Sequence, residues 1–167
     1  QHNSGVHPPS DRKLDVGDFI IAEITPSVRG QFVQICRTAT VGEATPSQRK
    51  AYELNANAMH DAIRHGRPGM KVQEVVKYID DALIEGGYAQ HITGHRRGHG
   101  CGIASAMPGD ISRDNETVLA PGMVFVLHPN QYLPETGYLL CGEPVVVTDT
   151  GLEPLSQRYA QLDPIAV

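Results

Sequence analysis

Tryptophan is missing from this 167-residue sequence, and its aromatics amount to six Tyr and three Phe. A stacking platform for single-stranded nucleic acid is therefore excluded. No run of Lys and Arg exceeds two residues and the net charge is −5, so a phosphate backbone is an electrostatically unfavourable partner. No apolar stretch approaches the roughly 18 residues of a membrane span, which excludes a membrane helix. The three cysteines, Cys36, Cys101 and Cys141, lack CxxC spacing. That count argues against a disulfide framework or a thiolate zinc site and fits a reducing cytoplasm.

What remains is ordinary globular material, 40% hydrophobic and 20% charged, enough to bury one core. The turn Asp15-Val-Gly-Asp18 launches a strand over Phe19–Ile24, apolar nearly throughout and hence expected to be buried, yet carrying Glu23. A buried carboxylate needs a hydrogen-bond partner, a counter-ion or a cation. A second strand is predicted from Gln31 to Thr38, with Phe32, Gln34 and Cys36 on one face. Thr45-Pro-Ser-Gln48 reads as a capping box opening a helix to about His65, stopped by Gly66. Val72, Val75, Val76, Ile79 and Leu83 mark one face of a second helix, closed by Gly86-Gly87.

The stretch Thr93-Gly-His-Arg-Arg-Gly-His-Gly-Cys-Gly102 organises the rest. His95 and His99 have the four-residue spacing of a helical zinc pair, but four glycines there disfavour a helix by about 1 kcal/mol each. The stretch is better read as a segment whose backbone closely approaches another segment or a ligand. A Pro/Gly/Asp-rich connection is expected through residue 116. Strands follow near Met123–His128, Tyr138–Cys141 and Glu143–Thr148, with a hairpin at Pro134-Glu-Thr-Gly137. The tail beyond Leu155 reads as loosely structured. Two strands, two helices and several more strands predict an α+β fold with a curved antiparallel sheet.

Four potential ligands, Glu23, His99, His128 and Glu143, fall in strands or in the glycine stretch, with Gln34 a weaker fifth. Each alone has an ordinary structural explanation. Together in apolar strands they would each need a separate buried partner, which favours a shared site.

The sequence resembles the methionine aminopeptidase, prolidase and creatinase family, the pita-bread fold. The resemblance is carried in order by Asn3-Ser4, His7-Pro-Pro-Ser-Asp-Arg12, Gly17-Asp18 and Gly30. Arg37-Thr38, Arg67-Pro-Gly69, Gly98-His-Gly-Cys-Gly102, Pro121-Gly-Met-Val124 and Glu143 with Val147-Thr-Asp-Thr-Gly151 continue it. It implies one catalytic-type C-terminal domain over residues 1–167, incomplete at its N-terminal side and completed by the missing part or by a homodimer partner. The family's two-metal site implies ligand positions at Glu23, Gln34, His99, His128 and Glu143. Here Glu23 replaces an aspartate, Gln34 a second aspartate and His128 a glutamate. Two divalent ions facing only two carboxylates would leave buried charge uncompensated.

The resemblance thus implies one divalent metal (Zn, Mn, Fe or Co) or none, and a hydrolase acting on a C–N bond of a small peptide or amidino substrate. With one ion, Glu23, His99, His128 and Glu143 would hold it. Without metal, His99 would be the general base, Glu23 and Glu143 would hold the substrate, and His7 would be a proton donor or oxyanion partner. The alternatives are a non-catalytic peptide- or protein-binding module on the same fold, or a lyase acting on a small substrate.

Overall fold

The computed structural model describes residues 11–92, 96–133, 137–158 and 160–166. Strand β1 (Phe19–Ile24) pairs antiparallel with β4 (Ile35–Val41), and the ribbon of β2 (Ser27–Val28) and β3 (Gln31–Phe32) lies between them in sequence. The single strand expected over 31–38 is therefore broken at Val33-Gln34. Strand β1 is half-buried at best and Glu23 is exposed, contrary to the expectation of burial. The cause is topological. β1 is an edge strand, paired among the described residues only with β4.

Helix α1 (Pro46–His65) begins as expected, with reciprocal hydrogen bonds between Thr45 and Gln48, Pro46 in the first turn and Gly66 at the end. Its buried face is rich in small side chains, Ala51, Ala56, Ala58 and Ala62, and includes Tyr52, Met59 and Ile63. Helix α2 (Val72–Glu85) buries the five predicted apolar residues and ends at Gly86. Burial of each large side chain contributes about 1.5–3 kcal/mol.

Five antiparallel strands form the main sheet, in the order β11-β10-β7-β5-β6. They are β5 (Arg96–Gly100), β6 (Met107–Ser112), β7 (Val124–Leu127), β10 (Glu143–Val147) and β11 (Leu152–Pro154). The hairpin of β8 (Asn130–Leu133) and β9 (Gly137–Leu140) stands apart; its tip falls at 134–136, outside the described residues. Strand β6 lies where the sequence suggested only a connection, because its pairing with β5 outweighs its proline and glycine. One core joins the layers, with Tyr52, Met59, Val75, Ile79 and Leu83 packing with Phe125, Leu127, Val145 and Val147.

The glycine stretch enters the sheet as β5. Gly98 has φ 150°, and a Cβ there would lie 1.9 Å from the Val126 carbonyl oxygen. This is the close backbone approach that the glycines predicted.

The tail beyond Leu155 is more ordered than expected. Strand β12 (Asp163–Ile165) runs parallel to β4, and the Arg158 carbonyl accepts a hydrogen bond from Arg37. The tail returns to β4 because it supplies backbone partners along that strand.

Candidate active site

Register decides which side chains can meet. Across β5, β7 and β10, His99 pairs with Val126 and Val126 with Pro144, whereas Gly98 pairs with Leu127 and Leu127 with Glu143. Cross-strand partners share a face. Leu127 belongs to the helix-packed core together with Val145 and Cys141, so Glu143 faces the helices and His99 the opposite side.

On the His99 face, three predicted residues come together. The His99 Nε2 atom lies 3.1 Å from the Gln34 side-chain amide, and the His99 and His128 rings stand edge-on with centroids 5.0 Å apart. All three are buried. The His99 Nδ1 atom lies 3.0 Å from the Gly100 carbonyl oxygen, which can only accept, so Nδ1 carries the proton. The Gln34 oxygen is the atom that faces Nε2, an arrangement in which Nε2 donates; a neutral ring with its proton on Nδ1 needs the amide turned so that its NH2 faces Nε2. The Gln34 NH2 donates to the Thr25 hydroxyl at 3.4 Å, and the Gln34 oxygen also accepts from the Cys36 thiol.

His128 is placed by its neighbours. Its N–H donates to the Arg97 carbonyl, and Asn55 of α1 donates to the carbonyl of Pro129 and contacts the Cys141 sulfur. Neither His128 ring nitrogen has a hydrogen-bond partner among the described residues. Burial, with smaller effects from His99 and Arg96, pushes the ring down to a pKa of about 4, so it is neutral at pH 7.

Glu143 is held elsewhere. It is fully buried, and one oxygen accepts from Arg37 at 2.7 Å while the other accepts from Ser156. Arg37 also donates to the carbonyls of Cys36, Gly142 and Arg158. The residue at this strand end that borders His128 is Gly142, where an added Cβ would lie 2.8 Å from the Cys36 Cβ and 2.9 Å from that of His128. Glu23 pairs with Cys36 across β1 and β4 but is exposed. His7 lies outside the described residues, as does His95.

Residues 2–149 match the pattern of metallopeptidase family M24. The chain belongs to that family. It is 29% identical over 153 residues to an Xaa-Pro dipeptidase of Pyrococcus furiosus, covering 92% of this chain and 44% of the relative. Identity to the probable dipeptidase PepE of Mycobacterium tuberculosis is 32% over 146 residues, with 87% and 39% covered. The crystal structure of dipeptidase PepE from Mycobacterium ulcerans superposes with a TM-score of 0.88 at 31% identity, covering 95% of this chain and 43% of that one. The M24 chain described here thus spans less than half the length of these relatives, and its fold is theirs, the α+β pita-bread fold.

An M24 metal centre would have to be built from the residues on the His99 face. Among the described residues, no three His, Cys, Asp or Glu side chains are grouped so as to hold an ion. The donors that do meet there, Gln34, His99 and His128, include no carboxylate, and Glu143 is already neutralised by Arg37. These residues do not fit a two-ion centre.

Two participants escaped sequence reasoning. Arg37 was visible only as part of a motif, and Ser156 lay in a tail with no pattern. The carboxylate of Glu143, buried next to a glycine, was the available signal that a cationic partner had to exist.

Proposed function

We propose that the protein containing this chain is a hydrolase of a C–N bond in a small peptide or amidino substrate, with an atypical site holding one divalent ion at most. The observation that carries this reading is the orientation of His99, whose Nδ1–H is held by the Gly100 carbonyl. That contact leaves Nε2 as the nitrogen available for proton transfer, beside the neutral imidazole of His128. The Gln34 amide marks the direction from which a donor O–H or N–H approaches Nε2.

In this reading the entering water displaces the Gln34 amide from Nε2, and His99 takes a proton from that water as its oxygen bonds to the substrate carbon. The same proton then passes to the departing nitrogen as the C–N bond breaks. Gln34 and His128 orient the polar groups around that carbon, and exposed Glu23, on the Cys36 side of β1, can meet a cationic substrate group. His7 is retained as a candidate proton donor on the strength of the family resemblance. The names of the relatives, Xaa-Pro dipeptidase and probable dipeptidase, support a dipeptide substrate. We place all 167 residues in one domain, supported by the large hydrophobic cluster that joins helices and sheet among the described residues. Among the described residues no helix is long and apolar enough to cross a membrane, and the three free cysteines suit a reducing compartment.

The test is turnover of Xaa-Pro dipeptides and of small amidino compounds by the full-length protein, alongside His99→Ala. Turnover lost in that variant supports the reading. A protein that binds these compounds at the site without cleaving any of them is a binding module, and the hydrolase reading fails.

A further inference from the structure

We infer that this site takes no divalent ion, because the chain's own amide and guanidinium occupy the atoms an ion would need; the inference rests on the hydrolase reading above and narrows it. With the His99 Nδ1–H given to Gly100, only Nε2 could ligate a metal, and Gln34 covers it at 3.1 Å. If the ring is neutral, Nε2 accepts from the Gln34 NH2. If it is protonated, Nε2 donates to the Gln34 oxygen. In both states Nε2 has no free lone pair while Gln34 stays in place.

The acidic groups lead to the same conclusion. At the start of β10 the position bordering His128 and Cys36 is Gly142, which has no side chain, while Glu143 is turned to the helix-packed face. There Arg37 supplies a full positive charge at 2.7 Å, and Ser156 takes the second oxygen. An ion reaching Glu143 would have to displace a guanidinium that also binds three backbone carbonyls. On the His99 face an ion would find two imidazoles and an amide but no carboxylate, and hard ions such as Mn²⁺ favour anionic oxygen ligands. Gln34 is thus a positioning residue. It holds the His99 ring, and an acidic residue in its place would supply the anionic ligand that this face lacks and let an ion bind beside His99 and His128.

The experiment loads the full-length protein with Mn²⁺, Co²⁺ or Zn²⁺ separately, removes loose ion by gel filtration and counts ions per chain, for wild type and Gln34→Asp. Wild type is expected to retain no stoichiometric ion, and Gln34→Asp to gain one. In ¹⁵N-labelled wild type, the ring nitrogens of His99 should report Nδ1–H and stay unshifted on adding Co²⁺. A stoichiometric ion in wild type, or Co²⁺-induced shifts at His99, overturns the inference. So does a folded Gln34→Asp protein that gains no ion. If Gln34→Asp does not fold, the wild-type count and the histidine spectra decide alone. Turnover by wild type in chelator separates the two claims. A bound ion with turnover sinks the metal-free inference and leaves the hydrolase reading standing, and no ion with no turnover does the reverse.

Discussion

The guanidinium of Arg37 in β4 and the carboxylate of Glu143 in β10 meet at 2.7 Å, with the acid fully buried and the arginine mostly so. The pair joins two sheets next to the backbone bridge between Cys36 and Gly142.

Removing one partner should therefore cost far more than removing both. Arg37→Met leaves an unpaired buried carboxylate and is expected to lower stability by about 3–5 kcal/mol. Adding Glu143→Gln should recover much of that loss. Urea unfolding of the two single variants and the double variant checks this, and additive effects would show that the two groups do not act as a pair.

Acid should weaken the fold through His128. Its folded pKa of about 4 lies below the ordinary 6.5, so the unfolded chain takes up the proton first as pH falls. The associated stability is complete above about pH 6.5 and drains away between 6.5 and 4, by up to about 3 kcal/mol. Burial lowers His60 in the same direction. Unfolding free energies across that interval should fall less steeply in His128→Gln. An unchanged slope would remove His128 as the cause.

Activity should depend on one histidine of the glycine stretch and not on the other. His99→Ala is expected to lose on the order of 10²–10⁴ in turnover while still folding, whereas His95→Ala should keep near-normal turnover. The reverse result would show that the wrong ring has been assigned.

Much of the fold was legible in the sequence for local reasons. The Thr45–Gln48 capping box, the valine face of α2 and the stops at Gly66 and Gly86 each act within a few residues, and the structure follows them. The close approach at Gly98 was also readable, because only glycine tolerates it. The site was legible only in part. Gln34, His99 and His128 converge, but a side chain's face depends on strand register, which is set by pairing between distant segments. Glu143 and Gly142 differ by one residue in sequence and by a whole sheet face in space. Glu23 looked buried because its strand is apolar, whereas an edge position leaves it exposed.

The glycines of the stretch and its neighbour strand should not be equivalent. A Cβ at Gly98 meets the Val126 carbonyl, whereas one at Gly109, with φ 103°, meets nothing within 4 Å. Gly109→Ala should show backbone strain alone, about 1–3 kcal/mol. Gly98→Ala should cost clearly more and disturb the β5–β7 pairing. Thermal melts with amide exchange of β7 would measure both, and equal costs would contradict the close approach.

The hydrogen bonds of Arg37 also set an order of assembly. Its partners Gly142, Glu143 and Arg158 lie 105, 106 and 121 residues further along the chain. Local units such as the two capped helices can form early, but the arginine's charge is met only by Glu143, 106 residues later. Closing loops of that length is slow, and contacts of such long sequence separation are made late. During synthesis β4 can pair early with the neighbouring β1, but the Arg37 side chain stays unmatched until β10 and the segment around Arg158 have emerged.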